Sequence, residues 1–306
     1  MGREGIVQNN RIHWLDAWKG FATLLVVTGH IADGYLDAGL FAENTATLQK
    51  IYEVIYSFHM PLFFVLSGYA FYVAYARKRE ERAGKFRLQL GNIAIVYVIF
   101  SVIQWIFKML FAGQVNSSYT VKDLLLLPVK TMDPYWYLYV LFLLYVIGWL
   151  IEKEKHPEWL KLVFFLGLYF LSKSVSGSIF FEIKRTLYYS LFFYFGIFLA
   201  KSVAPVISRR MQSFLLLYQK VPRADMLSKI GTYSLEIYVL HCFITAANRI
   251  ILIRIGITEF YFNIFINLVM ATGLPMLGAF ILKKLKLHAW FFKPLTALTK
   301  HTSVKQ

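Results

Sequence analysis

The chain has 306 residues, of which 58% are hydrophobic, 18% aromatic and only 16% charged, with a formal net charge of +16. Soluble domains average about 25% charged residues, so this is a membrane protein's composition. The positive charge sits in short loops beside apolar runs and comes with no recognisable nucleic-acid module. It therefore reads as topology-setting charge and contact with anionic lipid headgroups, with nucleic acid excluded as a partner. The single cysteine, Cys242, excludes an intrachain disulfide and any cysteine-based zinc site.

Apolar runs long enough to span a bilayer recur along the whole length without a polar insert of domain size. The expected fold is all-α: one integral membrane domain over 1–306, a polytopic bundle of about 8 spans. Helices are predicted at about 15–35, 51–76, 88–112, 135–151, 159–173, 185–201, 230–250 and 260–282. The fifth and sixth are short for a bilayer about 30 Å thick. The first apolar run follows basic residues but continues into "GHIADGY" without a small-residue cleavage pattern, so it is expected to be a retained span and not a signal peptide.

Loop charge gives the orientation, because Lys and Arg of short loops gather on the cytoplasmic side. Arg3 and Arg11 precede the first span, and "RKREERAGKFR" (77–87) carries six basic residues. The 202–229 segment holds Arg209, Arg210, Lys220, Arg223 and Lys229, and the tail adds Lys283, Lys284, Lys286, Lys293, Lys300 and Lys305. These are the even-numbered loops and both ends, so both termini are expected to be cytoplasmic. The pattern is weakest at "EKEKHPE" (152–158) and at 172–185, which puts three basic residues outside. The tail "KKLKLHAWFFKPLTALTK" mixes lysines with apolar residues as interfacial segments do.

Ionisable residues inside spans are costly, which makes each a candidate for function. In "WKGFATLLVVTGH" (18–30), Lys19 and His30 are 11 positions apart, just over three helical turns, and so share one face about 16 Å apart along the axis. A neutral His30 can abstract a proton near physiological pH, and Asp33, on the same face, could orient it; a packing hydrogen bond for His30 and a solvated outer position for Asp33 are the alternatives. Lys19 could hold a phosphate, snorkel to the interface, or pair with Asp16.

In "YSFHMPLFFVLSGYAFYVAYARKR" (56–79), Pro61 should bend the helix, His59 and Ser67 could face a polar cavity, and Ser67 with Gly68 permits close helix approach. Arg77, Lys78 and Arg79 could meet nucleotide phosphates or lipid. "DPYWYLYVLF" (133–142) brings an aromatic cluster with Trp136, also the composition of an interface belt. "IGTYSLEIYVLHCF" (230–243) places Glu236 and His241 in one span, which argues for an internal cavity or interhelical pairing. A thioester relay between His241 and Cys242 is disfavoured because adjacent helix positions point about 100° apart. There is no G-x-S-x-G elbow, P-loop or H-E-x-x-H spacing, and no metal is expected.

The ordered segments "LDAWKGFATLLVVTGH", "FHMPLFFVLSGYAF", "YWYLYVLF" and "GTYSLEIYVLH", together spanning 15–241, resemble the membrane acyltransferase-3 family, nearest its fucose 4-O-acetylase-like branch. The resemblance implies a bacterial inner-membrane enzyme that moves an acetyl group from acetyl-CoA, as co-substrate, to a sugar hydroxyl of an envelope or exported glycan, free or lipid-linked. It implies that His30 is the catalytic histidine and Lys19 its donor-side partner, a lysine where many members carry arginine. Ser67, Gly68, Arg77 and Arg79 would line the acyl-CoA path. Such proteins usually have about ten spans, two more than are expected here, and the two commonly fall where only 23 residues separate 202 from 226. A non-enzymatic transporter of a glycan or lipid intermediate is the alternative, since buried Lys, His and Glu also line transport pathways. A structural scaffold for an envelope-synthesis complex is a third.

Overall fold

The computed structural model describes residues 12–110, 120–177, 181–203 and 222–303. Arg3, Arg11, Arg209, Arg210, Lys220 and Lys305, used above for orientation, lie outside these, as does most of the 203–225 segment. The described residues are helical and contain no strand: α1 (His13–Asp37), α2 (Thr45–Ala74), α3 (Arg79–Leu110), α4 (Val121–Leu125), α5 (Trp136–Ile151), α6 (Glu158–Ser174) and α7 (Phe181–Phe198) are followed by α8 (Pro222–Thr232), α9 (Ser234–Arg254), α10 (Phe260–Lys284), α11 (His288–Phe292) and α12 (Pro294–Ser303). Three helical stretches among them are long and apolar enough to cross a membrane: Ala42–Leu110, which contains α2 and α3, then Ser234–Arg254 and Phe260–Lys284. The chain is thus a helical bundle of the multi-pass membrane type.

Helix α1 is not one of the three. It carries Asp16, Lys19, His30, Asp33 and Asp37, and it packs against α2, α8, α9 and α10. Protein, in place of lipid, covers much of its surface, which is where a helix can keep such residues.

Two glycine pairs allow the closest crossings. A Cβ at Gly20 would collide with the carbonyl of Leu227, and one at Gly231 with that of Asp16, so α1 and α8 meet backbone to backbone. Gly68 and Gly196 do the same for α2 and α7, against the carbonyls of Phe193 and Val65. Small residues are how membrane helices approach each other when hydrophobic burial gives no net drive.

The 77–87 segment, expected as a basic loop, is instead almost wholly helical: a single 3-10 turn at Ala76–Lys78 leads straight into α3. Arg82 explains the continuity. Its guanidinium donates to the carbonyls of Val73 (2.8 Å) and Ala74 (2.7 Å), satisfying the open end of α2. Helix α2 runs unbroken through Pro61. The tail expected at the interface forms α11 and α12, and α12 is pinned to α3 by Asn92, which donates to Thr296 Oγ1 (2.9 Å) and accepts from the Leu295 amide (2.9 Å).

The thin charge of "EKEKHPE" also has a structural counterpart. Glu152 and Glu158 face Lys161 and Lys201 with contacts of 3.3 Å (Lys161 to Glu152), 3.1 Å (Lys201 to Glu152) and 2.6 Å (Lys201 to Glu158). The Lys161 and Glu152 side chains are 5% and 4% exposed. Two of the three acidic residues of this turn, Glu152 and Glu158, are therefore committed to a network joining α5, α6 and the end of α7, while Glu154 is exposed.

Candidate active site

A cavity of about 790 Å³ lies in the half of the bundle that holds the C-terminal end of α1. His30 and Asp33 from α1, Tyr56 and His59 from α2, Lys108 from α3, Trp136 and Tyr137 from α5, Arg185 and Tyr189 from α7, and Cys242 and Arg249 from α9 all reach it. With Asn267 from α10, seven helices contribute to one chamber. Its wall alternates aromatic faces with a few polar groups, which is the usual make-up of a small-molecule site.

His30 is half-buried, and its Nδ1 lies 3.4 Å from the Tyr56 hydroxyl. Tyr56 stacks on Tyr52, with ring centroids 4.0 Å apart, and meets His59 edge-on at 4.8 Å. His59 is buried and donates from Nδ1 to the Ile55 carbonyl (2.7 Å). Since a carbonyl only accepts, this contact sets which ring nitrogen carries the hydrogen.

His241 backs His30, the ring centroids 5.1 Å apart. It is wholly buried and donates from Nδ1 to the carbonyls of Ile237 (3.0 Å) and Tyr238 (2.8 Å). Its Nε2 therefore presents a lone pair, and Cys242 Sγ lies 3.3 Å from that atom. This corrects the expectation that adjacent helix positions keep the two side chains apart. The Cα–Cβ vectors do diverge, but the side chains turn back toward each other.

Arg185 is held by aromatic faces. Its guanidinium lies 4.5 Å from the Trp136 ring centre and 4.1 Å from that of Phe181, while Glu182 accepts from it at 3.2 Å. Trp136 stacks in turn on Tyr189, and Tyr189 on Phe64. The column fixes a cation in the cavity wall at little conformational cost. At the other rim Arg249 donates to the Gly34 carbonyl, and Tyr35, Asn263 and Asn267 link α1 to α10 through side-chain hydrogen bonds.

Of the residues singled out from the sequence, His30, Asp33, His59 and Trp136 line the cavity, and His241 packs directly behind His30. The others do not line it. Lys19 is half-buried beside the Gly20–Gly231 crossing and stands outside the lining of this cavity. Ser67 and Tyr137 hydroxyls bond at 2.7 Å, and Gly68 serves the α2–α7 crossing. Arg77 is exposed, and Arg79 stacks on Trp149 (3.9 Å) and donates to its carbonyl. Glu236 is buried against His288 Nε2 at 2.6 Å, tying α9 to α11.

Sequence reasoning passed over Arg249, although it stands inside the predicted 230–250 span where the cost of an intramembrane charge would have flagged it. Arg185 was counted only as loop charge. Tyr56 and Tyr189 carried no signal beyond being two of 20 tyrosines.

The fold and cavity define a multi-pass helical membrane protein with an imidazole-bearing chamber enclosed by its helices. The chain matches the acyltransferase-3 family model, described as an acyltransferase domain, over residues 12–218. It belongs to that family. It is also 28% identical over 141 residues to the nodulation protein NolL of Mesorhizobium japonicum, an alignment covering 45% of this chain and 35% of that protein. The chain thus matches about a third of the length of this relative. No solved structure matches it.

Proposed function

We propose that the protein transfers an acetyl group from acetyl-CoA to a sugar hydroxyl of a cell-envelope or exported glycan, as a single-domain enzyme of the bacterial inner membrane akin to the fucose 4-O-acetylases, with about eight spans and both termini cytoplasmic. The observation that carries this reading is His30, half-buried in the wall of the 790 Å³ cavity with Asp33 in the same lining, in a chain of an acyltransferase family. In it, His30 takes the proton of the acceptor hydroxyl as the oxygen attacks the thioester carbonyl, and returns it to the departing CoA thiolate. Asp33 assists the charged imidazole, and the Tyr56 hydroxyl orients the ring. Arg185, pre-set between two aromatic faces, supplies hydrogen-bond donors to the acceptor's oxygens. Donor phosphates fall to the basic residues outside the chamber, Lys19, Arg77 and Arg79.

The test is a mixture of purified protein in liposomes, labelled acetyl-CoA and candidate glycans. Label should pass to the glycan with the intact protein and fall by at least about 10²-fold in His30→Ala of unchanged gel-filtration behaviour. Movement of unmodified glycan across the liposome membrane without label transfer would identify a transporter instead.

A further inference from the structure

One nitrogen or sulfur from each of His30, His241 and Cys242 gathers within 4.8 Å of the others. The sequence argument against zinc counted cysteines and found one, yet a mixed set of two imidazoles and a thiolate needs only one. Three features make this group more than a coincidence of neighbours. Both Nδ1 contacts of His241 go to backbone carbonyls, the arrangement that orients a metal-binding histidine and leaves Nε2 as the ligand atom. The Nε2 to Sγ separation is 3.3 Å, close to the roughly 3.5 Å edge of a tetrahedron with bonds of about 2.0 Å to nitrogen and 2.3 Å to sulfur. Cys242 and His30 open on the cavity, which also holds Asp33 and Asp133, so an ion has an entry route, a fourth coordination position and negative charge nearby.

We propose that His30, His241 and Cys242 form a binding site for one thiophilic divalent cation, zinc being the natural occupant by its preference for nitrogen and sulfur. Binding removes the Cys242 thiol proton to solvent, leaves a thiolate, and draws the His30 ring inward by about an ångström to reach tetrahedral spacing. The bound ion takes the His30 lone pair. On the acyl-transfer reading, and resting on it, zinc then turns transfer off by occupying the base.

The test uses the full chain in detergent and reads metal binding apart from catalysis. Cobalt(II) should give one equivalent bound, with the near-ultraviolet thiolate-to-cobalt absorption of a tetrahedral sulfur-containing site. Because Cys242 is the sole cysteine, maleimide labelling reports on it alone, and zinc should slow that labelling at least 10-fold. Cys242→Ala should abolish the cobalt band, and the zinc concentration needed to halve the transfer this variant retains should rise at least 10-fold. His241→Ala should abolish zinc protection of the thiol. The proposal is overturned if cobalt gives no thiolate band, if bound metal survives Cys242→Ala, or if zinc fails to protect the thiol. Should Cys242→Ala not fold, Cys242→Ser and the labelling of the unaltered protein decide. Absence of acetyl transfer with the cobalt band intact would count against the enzymatic reading alone.

Discussion

Tyr56 sets its hydroxyl 3.4 Å from Nδ1 of His30 while its own ring is stacked on Tyr52 and edge-on to His59. The contact is at the long end of hydrogen-bond distance, so the tyrosine orients the imidazole without carrying the proton transfer. Tyr56→Phe should therefore lower kcat by about 3- to 10-fold, against about 10²-fold or more for His30→Ala. Steady-state acetyl transfer by the two variants, with KM for the acceptor measured alongside, distinguishes orientation from loss of the base.

The α1–α8 and α2–α7 crossings depend on glycine at both faces. Gly231→Ala and Gly68→Ala each put a methyl group against a backbone carbonyl that cannot yield alone, so the helix must shift. Each should cost about 1–3 kcal/mol, read as a lower melting temperature in detergent. Gly167→Ala, where a Cβ meets nothing within 4 Å in the interior of α6, serves as the control and should leave melting unlowered or raise it slightly, since alanine favours the helix.

The Glu152–Glu158–Lys161–Lys201 network is buried enough that removing one partner strands charge. Lys161→Met should destabilise by about 2–3 kcal/mol, less than for an isolated buried pair because Lys201 still faces both carboxylates. Lys161→Met combined with Glu152→Gln should regain part of the loss. Thermal melting of the four members of this cycle checks it; an additive pair would remove the coupling.

Glu236 meets His288 outside the cavity lining. Glu236→Gln and His288→Ala should loosen α11 and α12 to similar extents while leaving the KM for the acceptor unchanged. Limited proteolysis after Leu287 measures the first effect, and transfer kinetics the second. A selective rise in KM in Glu236→Gln alone would place this carboxylate in the site after all.

Composition and apolar run length were enough to determine that the chain is helical and of the multi-pass membrane type, because hydrocarbon admits few backbone arrangements and demands long apolar stretches. The ordered segments around His30 and His59 were enough to reach the acyltransferase family, and the apolar run that ends in His30 singled this residue out before any fold was known. What the sequence could not decide was which polar residues share a chamber. Helical periodicity assigns a face, and Lys19 and His30 do share one, but three turns of helix pass through different neighbours. The glycine crossing with α8 lies beside Lys19, whereas six other helices join α1 in lining a cavity at His30. The approach of Cys242 to His241, and of both to His30, likewise depends on side-chain rotation and on the meeting of α1 with α9. Those contacts come from packing between helices distant in the chain, and one-dimensional spacing carries no record of them.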